Sequence, residues 1–490
     1  MIRKIKYLFF WVTLINITLL LSSCENIQDR AMELGNNGKV GKMQIADFLR
    51  VVSDKTSADD PTFFTNNKLD TAKAAAFIYS ICKDAGVKIN KDDIYAGAAR
   101  SRGSVAKPSF NVYIEDSESM DAYVKGNTRF KDAIYSLLGN VITADTLTQG
   151  INLYYINNQI TFSRQKADAN TLLQFIQNLD PATFRTNGGN RSSSDMRHLL
   201  QQVLDSTDDR HVNLLVSDFV FSPGKGQNAI ASLQQQSTGI KIAFGQKIEK
   251  FDLAIEVVQL HSNFSGKYFD ENDKPIVLSA DRPYYMWLIG SKEQINSIRK
   301  NGVLNNIKGG VDNTLVFYKQ TSPLLHGHKI TFSHKTGDFE LPDGASGNIN
   351  VAKPNDVYNS FGFDFLVDYS KDIEDLSFFD DTNNYSHDGN YKLTISRLKD
   401  STDPASSGFT HCLHLSTNNL QQQELHVFTQ SKIPKWVVVS NSLDDRNIKN
   451  EPSQMGRTFG LQYLIEGLYD AFYVSHHQDK LTEVEISIKK

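Results

Sequence analysis

Three polar stretches of the chain carry the kinds of oxygen atom that bind a hard divalent cation. Glu115, Ser117 and Ser119 directly follow a short apolar stretch, and Asp218 follows a second one. Ser194 ends a loop rich in Gly, Asn and Ser that precedes an amphipathic segment. Mg²⁺ and Mn²⁺ prefer carboxylate, hydroxyl and water oxygens, and Mg²⁺ demands near-octahedral geometry. These five residues predict a site for Mg²⁺ or Mn²⁺, provided that the fold brings them together.

The first stretch resembles a known adhesion motif. Residues 111–120 read NVYIEDSESM, which is similar to the opening of a von Willebrand factor A domain, where an apolar strand runs into a D-x-S-x-S-M metal-ion-dependent adhesion site. The resemblance places Glu115 at the family's first Asp and Ser117 and Ser119 at its two serines. Because Glu115 is one methylene longer than Asp, the motif is degenerate and implies a weaker site.

The other two elements of the motif follow in the family's order. The resemblance places Ser194 at a Thr in a loop before a helix, and Asp218 at an Asp just after the fourth strand. It covers about residues 107–246 and implies an ion that is bridged to an acidic group of a protein ligand. Two converging carboxylates need a cation, a proton or a basic side chain to relieve their repulsion. The alternative is that residues 115–117 simply solvate the strand end and cap the next helix, in a fold without an ion.

Alternating strand and helix patterns surround these residues and must position them. We predict strands at residues 110–114, 212–216 and 240–244, a strand or hairpin at residues 151–162, and helices at residues 128–139, 172–179 and 196–204. Such β-then-α units predict a doubly wound, mostly parallel sheet with helices on both faces and a ligand crevice at the carboxyl ends of its strands. The predicted fold class is α/β over residues 107–246, followed by all-β segments.

Beyond residue 246 the hydrophobic period changes to two, which is typical of strands with one buried face. Short strands separated by Asn, Asp, Gly and Ser predict one or two antiparallel β domains, at residues 247–345 and 346–490. The second ends in a predicted C-terminal helix at about residues 458–473. Residues 24–106 are predicted to form a polar tether and an amphipathic helix with Asp70 as its N-cap.

The start of the chain resembles the leader of a bacterial lipoprotein. Arg3, Lys4 and Lys6 precede an apolar stretch at residues 7–21, and the lipobox-like string LSSC ends at Cys24. The resemblance implies that residues 1–23 are a signal peptide and that Cys24 carries a covalent lipid. We therefore expect a membrane-anchored protein of the cell envelope. The alternative is an ordinary signal peptide with a chance cysteine.

The net charge of the chain indicates which class of macromolecule it can bind. The 490 residues include 52 Lys and Arg against 56 Asp and Glu, for a net charge of −4. Loss of the three basic leader residues would make the chain more acidic still. A chain without a basic surplus does not neutralise a phosphate backbone, so we expect no nucleic-acid partner. We expect a non-enzymatic protein that binds another envelope or extracellular protein, or assembles an envelope complex.

Two other function classes remain open. A metal-dependent envelope hydrolase could use Glu115, Asp116 and Asp218, although the sequence has no G-x-S-x-G or H-E-x-x-H motif. Such an enzyme needs its carboxylates in a deep cleft, whereas glycan binding needs an exposed row of aromatic rings. A glycan-binding module could use three aromatic residues of one predicted strand, Tyr284, Tyr285 and Trp287.

Overall fold

The structure is a computed structural model that describes residues 27–35, 40–57, 60–65, 68–89, 91, 94, 107–144, 147–192, 195–223, 226–342, 347–398 and 406–490. The chain divides into two units, residues 1–106 and residues 107–490. Cys24, Ser194 and the apolar stretch at residues 7–21 lie outside the described residues. Within the described ranges, no helix is long and apolar enough to cross a lipid bilayer.

The first unit contains three helices and a short ribbon. The helices span residues 27–35, Lys42–Lys55 and Thr71–Asp84, and the ribbon pairs Phe64–Thr65 with Lys68–Leu69. Asp70 caps the third helix as predicted, because its side chain accepts hydrogen bonds from the N–H groups of Ala72 and Lys73. Ile78 of this helix and Phe48 of the second lie fully buried in one apolar core.

A seven-stranded sheet is the framework of the second unit. Its strands are β1 (Ser109–Glu115), β2 (Gly150–Ile156), β3 (Ile160–Ala167), β4 (His211–Ser217), β5 (Leu253–Phe269), β6 (Pro275–Ser291) and β7 (Asn313–Tyr318). Their order is β3-β2-β1-β4-β6-β5-β7. β1 pairs in parallel with β2 and β4, and the other pairings are antiparallel. The first four strands follow the order 3-2-1-4 that begins the doubly wound fold.

Helices cover both faces of this sheet. They are α1 (Arg129–Thr143), α2 (Ala169–Gln177), α3 (Met196–Asp205), α4 (Ala229–Lys250), α5 (Lys292–Lys300) and α6 (Leu461–Tyr469), with short helices at Asp121–Val124, Pro181–Thr186, Lys435–Val439 and Pro452–Met455. Tyr155 of β2 packs on Phe175 of α2, with ring centroids 5.3 Å apart. Its neighbour Tyr154 faces the opposite side of the sheet and stacks on Tyr113, whose hydroxyl contacts Ser206 at the end of α3. The predicted α/β class is confirmed.

The strand predicted at residues 240–244 is wrong, because these residues lie inside α4. Ile240, Phe244 and Ile248 are buried at a helical spacing of four residues. The short apolar run at 240–244 also suits a strand, and such runs are ambiguous when read alone. The domain boundary predicted after residue 246 falls within the same helix.

The large sheet continues beyond that predicted boundary. β5 and β6 form a hairpin with 17 residues in each strand, β6 pairs with β4, and β7 pairs with β5. Residues 247–345, predicted as a separate β domain, therefore give three strands to the sheet that contains β1. The predicted aromatic platform is buried within β6, where its members are at most 1% exposed: Tyr284, Tyr285 and Trp287.

Two smaller sheets and a short ribbon follow. Their strands are β8 (Leu324–Leu325), β9 (His328–Thr336), β10 (Asp338–Glu340), β11 (Asn348–Lys353), β12 (Phe361–Val367), β13 (Tyr385–His387), β14 (Lys392–Arg397), β15 (His411–Thr417), β16 (Gln423–Gln430), β17 (Asn441–Ser442), β18 (Thr458–Phe459) and β19 (Lys480–Ile488). One sheet has the order β10-β11-β19-β16-β13, with β8 beside β19; the other has the order β9-β12-β15-β14 and is antiparallel. Phe363, Leu413 and Ile486 of these sheets share one buried core.

The predicted C-terminal helix is present as α6 but is not the last element. α6 continues as a π-helical turn at Asp470–Val474, and the chain ends in β19. α6 packs closely on α4 at Gly467, where a Cβ atom would lie 2.6 Å from the carbonyl oxygen of Ser237 and 3.2 Å from the Cβ of Ile240. A residue without a side chain is required for this close approach of the two helices.

Candidate functional site

The carboxyl ends of β1 and β4 lie side by side, at the point where the doubly wound strand order reverses. Glu115 is the last residue of β1, and Asp218 directly follows β4. In open α/β sheets, ligands bind in the crevice at such a reversal. The structure thus brings Glu115, Ser117, Ser119 and Asp218 to one edge of the sheet, whereas Ser194 lies outside the described residues.

Both predicted metal-binding carboxylates are buried and hydrogen-bonded within the protein. Glu115 is 1% exposed, and its Oε2 accepts a hydrogen bond from the Ser217 hydroxyl. Asp218 is also 1% exposed, and its Oδ1 accepts a hydrogen bond from the N–H of Val220 at 3.1 Å. Burial raises the pKa of Asp218 above its ordinary value, while hydrogen bonds from Val220 and from the side chain of Ser119 oppose that rise.

A buried arginine supplies positive charge beside Asp218. Arg282 of β6 is fully buried and donates hydrogen bonds to the carbonyl oxygens of Met455 at 3.0 Å and Arg457 at 3.1 Å. Its guanidinium lies 4.3 Å from the ring centroid of Tyr268. The positive charge of Arg282 also lowers the pKa of Asp218, although burial and the hydrogen bonds affect this pKa more strongly. Among the described residues, Arg282 thus acts on Asp218 through its charge, and the two side chains form no direct ion pair.

Asp116 connects the end of β1 to two neighbouring loops. Its Oδ1 accepts a hydrogen bond from Asn157 Nδ2 at 2.9 Å, and its Oδ2 accepts one from Asn187 Nδ2 at 2.9 Å. Asn157 also donates to the carbonyl oxygen of Gly188 at 3.0 Å. Burial raises the pKa of Asp116 to about 6, although both amide donors and the charge of Arg191 favour its ionised form. This carboxylate holds the loops of the edge together.

The loop that precedes Ser194 brings an arginine to the site. Arg191 donates from Nε to the carbonyl oxygen of Asp116 at 2.6 Å and from Nη2 to that of Ser117 at 3.3 Å. It also pairs with Asp121. Gly189, at a φ of 75°, precedes it in the left-handed region, and a Cβ there would overlap the side chain of Asn157. Arg191 thus fixes the backbone that presents the two serines.

The pocket at this edge is too small for a hydrated Mg²⁺. Ser117, Glu118, Ser119 and Arg191 belong to its lining, and it offers about 10 Å³ to water, which is the room that one water molecule needs. Mg²⁺ usually keeps several waters, and the two buried carboxylates do not line the pocket. In the part of the chain that the structure describes, no group of three or more His, Cys, Asp or Glu side chains could hold a metal ion. The predicted Mg²⁺ or Mn²⁺ site stays a prediction, since its fifth residue, Ser194, lies outside the described residues.

The hydrolase alternative also lacks an accessible group among its predicted residues. Glu115, Asp116 and Asp218 are each at most 1% exposed. A general acid or base must come within hydrogen-bond reach of its substrate, directly or through one water. Glu115 instead accepts a hydrogen bond from Ser217, and Asp116 accepts hydrogen bonds from two asparagines. Asp218 accepts one from the backbone N–H of Val220. Their geometry is that of groups that position loops.

Arg191 and Arg282 are residues of this candidate site that sequence analysis missed. Arg191 lies in the loop that the motif identified, so its place was indicated although its role was not. Arg282 lies between two short strands predicted at 275–279 and 284–289, where the sequence favours a turn. The continuous strand β6 carries it to the site instead.

Comparison of the chain with protein-family models, with curated proteins and with solved structures finds no match.

Proposed function

We propose that this protein is a lipid-anchored protein of the cell envelope that binds another protein through a von Willebrand factor A-like unit. The observation that carries the proposal is the convergence of Glu115, Ser117, Ser119 and Asp218 at the edge where the strand order reverses. They follow the order of the family's motif, and their edge is where α/β sheets place ligands. The shallow pocket here suits a protein surface better than a small substrate, which is usually enclosed.

We propose that the partner binds at this edge without a bridging ion. Glu115 accepts a hydrogen bond from the Ser217 hydroxyl. Asp218 accepts hydrogen bonds from Ser119 and Val220, and the charge of Arg282 favours its ionised form. Ser117 is 3% exposed and its hydroxyl lies 3.1 Å from that of Ser119, so the partner would contact the half-buried Glu118 and Ser119 of the pocket lining. In this proposal the carboxylates keep the shape of the edge and do not contact the ligand.

The proposed anchor is a covalent lipid on Cys24. Several acyl chains on one residue hold a protein at a membrane where one chain binds only reversibly. Anchorage at this residue would confine the binding edge to a layer near the membrane and raise the local concentration of a membrane-bound partner. The proposed partner is a protein and not a nucleic acid.

The test is capture of a partner from native membranes with the lipidated protein. Glu118 lines the pocket, so Glu118→Arg reverses one charge at the proposed contact. Glu340 of β10 is exposed, and Glu340→Arg is the matched control outside it. We expect the wild type and Glu340→Arg to capture the same protein in stoichiometric amount, and Glu118→Arg to lose it. Equal capture by all three would overturn the proposed contact.

A further inference from the structure

One segment of the second unit packs into both of its large apolar cores. This connecting segment, residues 368–377, joins β12 to a 3₁₀ turn at Phe378–Asp380. Tyr369 belongs to the core of the two smaller sheets, and Ile373 belongs to the core of the seven-stranded sheet. The docking of the connecting segment therefore helps to hold the two parts of this unit together.

Two basic residues of α5 hold the connecting segment. Arg299 Nη2 lies 2.7 Å from Oδ2 of Asp375, and Arg299 Nη1 pairs with Glu256 of β5. Glu256 is fully buried, and the side chain of Arg299 is 8% exposed. Lys300 donates to the carbonyl oxygen of Ser370. The segment thus contacts the α/β part through an arginine that a buried carboxylate positions.

Carboxylates outnumber guanidinium groups at this contact. Glu374 is half-buried and forms no hydrogen bond or ion pair with another described residue. Oε1 of Glu256 and Oδ2 of Asp372 are buried without a hydrogen-bond partner in the described part of the chain. Neighbouring carboxylates of like charge favour the protonation of one of them. Protonation of Glu374 removes a negative charge from the contact and breaks no existing ion pair.

The surroundings of Glu374 favour its protonated form. Burial raises the pKa of Glu374 from an ordinary 4.5 to about 8, although the charge of Arg299 opposes this rise. The charges of Glu256, Asp375 and Asp372 add to it. The other ionisable groups that face this contact are Lys300 of α5, Tyr318 of β7, Tyr473 of the π-helical turn, and His326, which lies 3.2 Å from Asp372. Burial raises the pKa of both tyrosines, so neither carries a charge near neutral pH.

We propose that Glu374 is a proton-controlled switch for the docking of the connecting segment on α5. With a proton, its carboxyl adds no charge to the contact, and the segment stays docked. Without the proton, it repels the carboxylates that share the guanidinium of Arg299, and the segment separates from α5 more readily. This proposal does not depend on the protein-binding edge at β1 and β4.

The direction of the pH dependence follows from the pKa of Glu374. The docked segment binds the proton more tightly than the separated one, in which the carboxyl has its ordinary pKa of 4.5. Docking is therefore strongest below pH 4.5 and weakens as the pH rises to about 8. Above pH 8 both states are ionised, and docking stays at its weakest.

The experiment is hydrogen–deuterium exchange of the purified full chain between pH 5 and pH 9, corrected for the pH dependence of exchange in an unfolded peptide. We expect the protection of residues 369–377 to fall by up to about tenfold per pH unit and to level off above pH 8, because one proton is released on separation. Glu374→Gln should keep the acidic level of protection at every pH. Asp375→Asn removes a repelling charge, so the levelling should move to lower pH.

Two controls separate Glu374 from other groups that titrate. Glu340→Gln changes an exposed glutamate of β10, and His326→Gln removes the imidazole beside Asp372. Both variants should keep the pH dependence of the wild type. The proposal is overturned by protection of residues 369–377 that does not change with pH in the wild type, by the same pH dependence in Glu374→Gln, or by its loss in His326→Gln.

Discussion

Replacing Asp116 by Asn should stabilise the protein in a manner that depends on pH. In the wild type, Asn157 donates to Oδ1 of Asp116 and Asn187 donates to Oδ2. An Asn at this position keeps an oxygen for Asn157 and presents an NH₂ group to Asn187. The side-chain oxygen of Asn187 has no hydrogen bond with another described residue, so this amide can turn over and accept. The variant can therefore keep both hydrogen bonds while it loses the charge.

The magnitude follows from the pKa of Asp116. Burial raises it from an ordinary 3.8 to about 6, and one pKa unit corresponds to about 1.4 kcal/mol. Above pH 6 the carboxylate is ionised in both the folded and unfolded chains, and its burial costs about 3 kcal/mol of stability. As the pH falls through 6, the folded chain takes up the proton first and the cost decreases. Below pH 3.8 both states are protonated and the cost vanishes.

Thermal unfolding of wild type and variant between pH 4 and pH 8 measures this effect. Asp116→Asn should be more stable by up to about 3 kcal/mol at pH 8 and no more stable near pH 4. Asp116→Ala is the matched control, because it removes the charge and also leaves one N–H of buried Asn157 and one N–H of half-buried Asn187 without its acceptor. It should be less stable than Asp116→Asn by the same amount at every pH, roughly 1–3 kcal/mol for each donor. A difference between Asp116→Asn and wild type that does not change with pH would refute the reasoning.

Four further predictions concern the edge, the core and the anchor. Mg²⁺ or Mn²⁺ at about 10 mM should leave the melting temperature of the wild type and of Glu115→Asp unchanged. An increase in melting temperature that Asp218→Ala abolishes would instead support a metal site. Arg282→Met should cost about 1–3 kcal/mol because the carbonyl oxygens of Met455 and Arg457 lose their donor, and Asp218 also loses a nearby positive charge. Asp218→Asn in the same chain should recover part of that loss, and purely additive losses in thermal unfolding would argue against an electrostatic coupling of Arg282 with Asp218. Limited proteolysis should spare residues 246–250, since they are helical, and early cleavage there would contradict the fold. Cys24→Ala should leave the membrane fraction or remain unprocessed, and a processed variant that still sediments with membranes would exclude the lipid anchor.

The sequence was sufficient for features that depend on neighbouring residues. The helix capped by Asp70, the buried strands β1 and β4, and the polar residues after them each follow from a local pattern. Because the carboxyl ends of parallel strands meet at one edge, the meeting of Glu115 with Asp218 could be predicted as well.

Features that depend on distant pairing could not be predicted. Arg282 lies more than sixty residues beyond Asp218, and nothing near it shows that β6 pairs with β4. β5, β6 and β7 are also distant in sequence from the α/β strands whose sheet they join. Because no local pattern shows this pairing, their hydrophobic period of two suggested a separate domain. β19 was missed although Val484, Ile486 and Ile488 alternate with polar residues in the printed sequence. This alternation alone could have predicted the strand.

The packing of α6 on α4 at Gly467 has a consequence for the order in which the chain can fold. The buried Ile240 and Phe244 of α4 belong to the same core as Leu464 and Leu468 of α6, more than two hundred residues later. During synthesis, this apolar side of α4 stays uncovered until nearly the whole chain has emerged. Loop-closure entropy and the exposure of apolar surface both make such late contacts slow and prone to aggregation. A chain truncated before Leu461 would keep the paired strands β1 and β4 but would leave the apolar side of α4 exposed. Such a fragment would need a chaperone that binds apolar helices to remain in solution.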